Sequence, residues 1–269
     1  MTDSEIPGIG MGTFRLKGND AREAVKSALS LGYRHIDTAQ MYENESEVGD
    51  GITSSGIPRR EIFLTTKVWH DHLEKSDLIN SLHDSLARLK TDHVDLTLIH
   101  WPSPDDKVPM EEYLGALRDA QREGLTRHIG MSNFTCAQMD QAVRILGEGA
   151  IATNQVEVHP FLANRKVVEH AQKLGITVTG YMPLAVGKVM EDETLIRIAE
   201  ARNLTPAQVA LAWVASRGVV VIPSSTRATH QKANLEALQV ELTADEIAQI
   251  DRLDRNERIA NPGFAPNWD

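Results

Sequence analysis

No apolar run in the 269-residue chain approaches the ~20 residues that a membrane-spanning helix needs. There is one cysteine, Cys136, so an internal disulfide is excluded and a reducing, cytoplasmic setting is expected. Residues 1–10 have neither the basic start nor the apolar centre of a secretory leader. Positive charge is in deficit. The 28 Lys and Arg face 38 Asp and Glu, a formal net charge of −10, which argues against nucleic acid or an anionic lipid surface as the main partner. No low-complexity segment, charge block or Gly/Ser linker marks a boundary, so residues 1–269 are expected to form one domain. With 41% hydrophobic and 25% charged residues, the composition is that of a soluble globular chain long enough to bury a sizeable core.

What is present is a repeat. Short β-rich runs recur at 8–14, 33–37, 62–69, 94–101, 127–133, 152–158, 177–182 and 219–225. Helical patterns lie between them. Ala24, Val25, Ala28 and Leu29 form one apolar stripe, with Asp20 and Glu23 spaced as a capping box. Leu78, Ile79, Leu82, Leu86 and Leu89 form another, with Ser76 the expected N-cap. Thr135 with Gln138 opens a third helix. A fourth carries Pro206 in its first turn and Gly218 beyond its end. Eight β-runs alternating with helices imply a parallel sheet, and eight units in this length suit a closed (β/α)8 TIM barrel. Periodicity alone does not separate that barrel from an open, doubly wound sheet.

The β-runs end in chemistry. The second, in "YRHIDTAQMYENE", delivers Asp37, with Tyr42 just beyond; the third carries Lys67 and the fourth His100. In a barrel these ends converge on one mouth. A tyrosine is a poor acid near neutrality, with a pKa of about 10, and a nearby ammonium lowers that value. Lys67 is placed to supply the charge, and Asp37 to keep Lys67 protonated in a buried site. His100 would orient a carbonyl oxygen or help deliver the proton. The four make a tuned proton donor beside a carbonyl site that lacks an electron source, so hydride chemistry would require a bound nicotinamide.

The runs "GMGTF", "YRHIDTAQMYENESEVG", "TTKVW", "LTLIHWP", "GMSNF", "NQVEVHP", "YMPLA" and "IPSST" together resemble the aldo-keto reductases along essentially the whole chain. "PSSTRATHQKANLEAL" and the final "APNWD" are similar to the bacterial subgroup that reduces 2,5-diketo-D-gluconate and methylglyoxal. The resemblance implies an NADPH-dependent reductase of aldehydes, 2-oxoaldehydes and keto-sugars, with Tyr42 as proton donor and Asp37, Lys67 and His100 around it. It implies that Ser132, Asn133 and Gln155 hold the nicotinamide carboxamide and that Tyr181 stacks on the ring. Thr13 and Asp37 would lie along the ribose, with Gly12, Pro183 and Leu184 as further cofactor contacts. Ser224, Ser225, Thr226, Arg227 and Asn234 would bind the adenosine end. Phe14, Trp69, His100 and Trp101 would wall the substrate. Many relatives carry Lys where Ser224 stands and Arg where His230 stands, which leaves Arg227 as the main candidate for the 2′-phosphate. Many also carry Trp where Phe14 stands.

Other signals read more plainly. Glycines 8, 10 and 12 invite a dinucleotide-loop reading, but Thr13 and Phe14 follow where that fingerprint needs a further glycine opening a helix. His70 and His72 form an H-x-H pair without the further ligands a metal needs, so they read as exposed loop histidines and no metal is expected. Cys136 reads as a small buried residue, although a helix N-terminus lowers a thiol pKa. The short run after Arg258 is expected to leave the pocket open to small dicarbonyls and keto-sugars. The expected partner is therefore a small carbonyl compound, not nucleic acid or membrane, and a monomer is the working expectation. Two rival readings predict different behaviour. A non-catalytic, cofactor-sensing barrel subunit would not oxidise NADPH with an aldehyde present, and a metal-dependent hydrolase would ignore NADPH.

Overall fold

Eight parallel strands follow one another in space in chain order: β1 (Met11–Gly12), β2 (His35–Asp37), β3 (Phe63–Val68), β4 (Val94–Ile99), β5 (Thr126–Ser132), β6 (Ile151–Glu157), β7 (Thr177–Tyr181) and β8 (Val219–Val221). The computed structural model describes residues 6–269; residues 1–5, the start of the run read above for a leader, lie outside it. The ladder closes. Ile9 bridges Val221 in parallel, Gly10 N donates to Val221 O (2.8 Å), and Gly12 N donates to Pro223 O (3.0 Å). Closure decides for the (β/α)8 barrel over the open sheet. Around it run α1 (Gly18–Leu31), α2 (Glu45–Ser54), α3 (Lys75–Leu89), α4 (Met110–Arg122), α5 (Cys136–Leu146), α6 (Arg165–Lys173), α7 (Glu193–Arg202), α8 (Pro206–Ser216), α9 (Ala228–Glu236) and α10 (Ala244–Asp251). No helix among the described residues is long and apolar enough to cross a membrane.

Both faces of such a sheet are covered, so its strands are apolar without strict alternation. All six residues of β4 are buried. The apolar stripe of α3 is buried at Leu78, Leu82, Leu86 and Leu89. Thr135 and Thr205 cap α5 and α8 with complete capping boxes, and Thr243 does the same for α10. Two expected caps are corrected. Helix α1 begins at Gly18 with Lys17 before it, so Asp20 lies inside the first turn, where its charge still complements the helix N-terminus. Helix α3 begins at Lys75, and the Lys75 N–H donates to Glu112 Oε1 of α4, so Ser76 is not its cap.

The glycine-rich run is the barrel seam. A Cβ on Gly12 would stand 2.6 Å from Ile222 O, and one on Gly10 would stand 2.7 Å from His35 Nδ1. Helix α1 starts only at Gly18, so no phosphate-cradling turn joins this strand to its helix. His35 itself is fully buried, with Nε2 3.0 Å from Thr65 Oγ1 and no partner for Nδ1 among the described residues. Burial pushes its pKa down to about 4, against the raising influence of Asp37. The folded protein thus prefers the neutral ring. Its contribution is complete above the unfolded pKa of about 6.5 and is lost as pH falls toward 4, an expected loss of about 3 kcal/mol. Urea unfolding of wild type and His35→Gln between pH 7 and pH 4.5 measures this. The stability gap between them should narrow on acidification, and a gap independent of pH would refute the assignment.

Candidate active site

The catalytic candidates converge at the C-terminal mouth. Asp37 ends β2, Lys67 lies in β3, His100 follows β4, and a one-turn 3-10 helix (Gln40–Tyr42) swings Tyr42 back over Lys67. Lys67 is completely buried, and its Nζ donates to Asp37 Oδ1 (2.6 Å), Thr38 O (2.9 Å) and Tyr42 OH (3.0 Å). All three ammonium protons are used. The second carboxylate oxygen of Asp37 accepts from Gln155 Nε2 (2.8 Å), and Thr13 Oγ1 donates to Asp37 O (2.9 Å). The turn is tied down by Asn44, whose Nδ2 donates to Thr13 O and Leu16 O on either side of Phe14. Gln40 Oε1 accepts from Trp69 N (2.9 Å). Neither Asn44 nor Gln40 stood out in the sequence, because a buried amide in a loop carries no periodic signal.

Burial alone would lower the Lys67 pKa, but the charge of Asp37 and then Tyr42 outweigh it, and the net direction is up. Lys67 is an ammonium. For Tyr42, burial raises the pKa by more than Lys67 lowers it. The expectation of a net lowered phenol is therefore corrected, since desolvation of a phenolate wins over one cation already shared with Asp37. Tyr42 is held protonated, the state a proton donor needs. His100 is driven well below its usual range, by burial first and then by Lys67 and His70. It is a neutral imidazole, and its Nδ1 has no partner among the described residues.

A cavity of about 840 Å³ opens above these groups. Phe14, Tyr42, Trp69, His100 and Trp101 line it, together with Ser132, Asn133, Gln155, Tyr181, Pro183, Leu184 and Ser224. The amides are organised: Asn133 Nδ2 donates to His100 O (3.0 Å), Tyr181 OH donates to Asn133 Oδ1 (2.8 Å), and Ser132 Oγ donates to Gln155 O (2.8 Å). Gln155 Oε1 makes no hydrogen bond among the described residues. A free amide acceptor and a phenol ring lining one cavity fit a planar carboxamide-bearing ring such as nicotinamide. Other residues expected at the site lie outside this lining. Gly12, Thr13, Asp37 and Lys67 are buried behind the lining, and the Asp37 carboxylate is occupied by Lys67 and Gln155. Thr226 and Arg227 are exposed and Ser225 half-buried beyond Ser224, and Asn234 is covered within α9.

The chain after Arg258 does more than was expected. Ile259, Ala260, Asn261, Pro262 and Phe264 line the cavity. Phe264 stands edge-on to Trp69 (5.6 Å) and Trp101 (5.4 Å), and Trp268 packs on Trp101 (6.0 Å) and under Arg258. This run forms part of the cavity wall. His70 is not an exposed loop residue: it packs between Trp69 and Phe264, while His72 pairs with Asp77 (2.8 Å). No cluster of three or more metal-ligating side chains occurs among the described residues. Cys136 is half-buried, and burial, followed by the Asp269 carboxylate, pushes its thiol up to about 11. Helix α5 does not activate it.

The same architecture and sequence recur in known proteins. The aldo/keto reductase family profile matches residues 8–255. Methylglyoxal reductase DkgB of Escherichia coli O157:H7 is 53% identical over 98% of this chain and 99% of its own. Glyoxal reductase of Bacillus subtilis is 37% identical over 96% of this chain and 93% of its own. A solved structure assigned as a 2,5-diketo-D-gluconic acid reductase B superposes with a TM-score of 0.95 at 45% identity, covering 99% of this chain and 95% of that one. A Bombyx mori aldo-keto reductase in complex with NADP superposes with a TM-score of 0.89 at 32% identity, covering 97% and 95%. With its barrel, its buried Lys67–Asp37 pair and its phenol at the mouth, the chain belongs to the aldo/keto reductase family of nicotinamide-dependent oxidoreductases.

Proposed function

We propose that the protein uses NADPH to reduce small carbonyl compounds, namely 2-oxoaldehydes such as methylglyoxal, other aldehydes, and keto-sugars such as 2,5-diketo-D-gluconate. The observation that carries the reading is the 3.0 Å hydrogen bond from Lys67 Nζ to Tyr42 OH at the floor of a cavity shared with neutral His100. Bound nicotinamide supplies the hydride. Tyr42 donates its proton to the carbonyl oxygen, and Lys67 stabilises the phenolate left behind. Asp37 keeps Lys67 charged and aimed. His100, a neutral imidazole, orients the carbonyl oxygen by a hydrogen bond. Ser132, Asn133 and Gln155 hold the carboxamide, and Tyr181 offers its ring to the nicotinamide. The names of the relatives support methylglyoxal and 2,5-diketo-D-gluconate as substrates. We take the protein to act in the cytoplasm as a monomer, a setting that the single free thiol supports. The rate of NADPH oxidation with methylglyoxal, 2,5-diketo-D-gluconate and aromatic aldehydes tests the reading, and no oxidation with any of them overturns it.

The choice of NADPH rests on Arg227. Its side chain is exposed at the start of α9, where its backbone N–H donates to Ser225 Oγ (3.1 Å). Nearby Lys232 is engaged with Glu236 (3.8 Å). A charge-assisted bond to the 2′-phosphate is worth about 1.5–3 kcal/mol. Arg227→Ala should therefore raise the NADPH Kd about tenfold or more, with little change for NADH. Tryptophan-fluorescence titration decides it. Equal weakening of both cofactors would assign Arg227 to the adenine or to the loop.

A further inference from the structure

Strand β6 ends at Glu157, two residues past Gln155. Glu157 and His159 are both wholly buried. The carboxylate meets three donors. Oε1 accepts from Ile259 N (2.8 Å) and His159 Nε2 (2.8 Å), and Oε2 accepts from Ala260 N (2.8 Å). His159 Nδ1 in turn accepts from Phe161 N (3.2 Å), which assigns the His159 proton to Nε2. Burial would raise the Glu157 pKa, but the bonds from His159 and the two backbone amides bring it down, so it is a carboxylate. A buried charge of this kind is costly unless hydrogen-bonded, and its bonds are correspondingly strong.

The chain held there is docked along its length. Glu257 N donates to Phe161 O (2.9 Å), Ala163 N donates to Asp254 Oδ1 (3.2 Å), and the Arg255 guanidinium lies over the Phe161 ring (4.1 Å). Immediately after Ala260 the same chain turns onto the cavity and inserts Phe264 between Trp69 and Trp101. One rigid strand thus presents Gln155 to the cofactor side and Glu157 to the substrate wall.

We propose that Glu157 is a positioning residue for substrate selection: by gripping the Ile259 and Ala260 amides it sets where Phe264 stands, and so which carbonyl compounds fit. This rests on the carbonyl-reductase reading and deepens it. A substrate large enough to touch the aromatic wall senses the grip, whereas methylglyoxal does not.

The test compares methylglyoxal with 4-nitrobenzaldehyde. In Glu157→Gln, a single amide oxygen replaces a charged pair of acceptors. KM for 4-nitrobenzaldehyde should rise about tenfold, the value of one charge-assisted bond, with kcat, methylglyoxal KM and NADPH Kd within about twofold. Hydrogen exchange at the Ile259 and Ala260 amides should quicken about tenfold or more. Ala260→Pro removes one donated N–H from the other side and leaves the barrel untouched. Because Ala260 itself lines the cavity, the amide is its diagnostic: exchange at Ile259 should quicken as in Glu157→Gln, and unchanged exchange there overturns the proposal if Glu157→Gln does not fold. Unchanged 4-nitrobenzaldehyde KM, or kcat falling equally for both substrates, overturns the proposal. If wild type oxidises NADPH with neither compound, the reductase reading fails, while amide exchange still reports on the grip.

Discussion

Tyr42→Phe should cut carbonyl reduction by about two to four orders of magnitude, the usual value of one general acid. The substitution removes an O–H and little else. The ring contacts to Phe14 (5.1 Å) and His100 (5.8 Å) survive, so the turn and the cavity keep their shape. Lys67 keeps Asp37 and Thr38 O as acceptors and loses only the phenol. The NADPH Kd should therefore stay close to wild type, and the loss should fall on kcat. Steady-state rates with methylglyoxal, paired with a fluorescence titration of NADPH, make the comparison. A variant that keeps half the wild-type kcat would remove Tyr42 from the proton path.

Asp37→Asn should damage both stability and rate. Lys67 is entirely buried, and Asp37 is the one carboxylate bonded to it among the described residues. Breaking one side of such a pair costs about 3–5 kcal/mol, because an uncompensated charge is left in the interior. The rate falls as well, since a less firmly charged and oriented Lys67 no longer stabilises the Tyr42 phenolate. Lys67→Met strands the opposite charge and leaves the Asp37 carboxylate, among the described residues, only Gln155 as a side-chain donor. It also lets burial raise the Tyr42 pKa unopposed. The double variant carries no stranded charge, so its loss in stability should be smaller than the sum of the two. Rates should be non-additive too, because both residues act through one phenol. Urea unfolding and initial rates on all four proteins complete the cycle. Additivity within about 0.5 kcal/mol would mean that the two residues work independently.

The alternation of strands and helices was readable in the chain, because Thr135 with Gln138 or Thr205 with Pro206 marks a start that local bonds enforce, whereas closure into a barrel was not, since it rests on Ile9 meeting Val221 from the other end of the chain. The convergence of Asp37, Tyr42, Lys67 and His100 was readable for a related reason: the fold brings strand ends together whatever their distance in sequence. Effects set by remote packing were not readable. Ser76 has cap chemistry, yet Glu112 from the neighbouring helix satisfies the Lys75 N–H. The sign of the Tyr42 shift depends on how deeply the phenol is covered. Glu157 looked like one polar residue in a strand, because its partners lie about a hundred positions away, at Ile259 and Ala260. The stacking of Phe264 and Trp268 on Trp69 and Trp101 likewise has no local signature.

The seam has a consequence for the life of the protein in a crowded cell. A run such as Val219–Val221, rich in β-branched residues and without charge, is the kind of segment that templates association when its backbone is unpaired. Here both terminal strands find each other: Val221 exchanges bonds with Gly8 and Gly10, and Gly12 reaches Pro223. Among the described residues the sheet leaves no unpaired terminal edge to recruit a second chain. Gly12 achieves this by letting its backbone approach that of Ile222 where a Cβ would wedge them apart. A feature that superficially promises phosphate binding therefore serves colloidal stability, keeping an enzyme of ordinary composition from becoming a nucleus for aggregation.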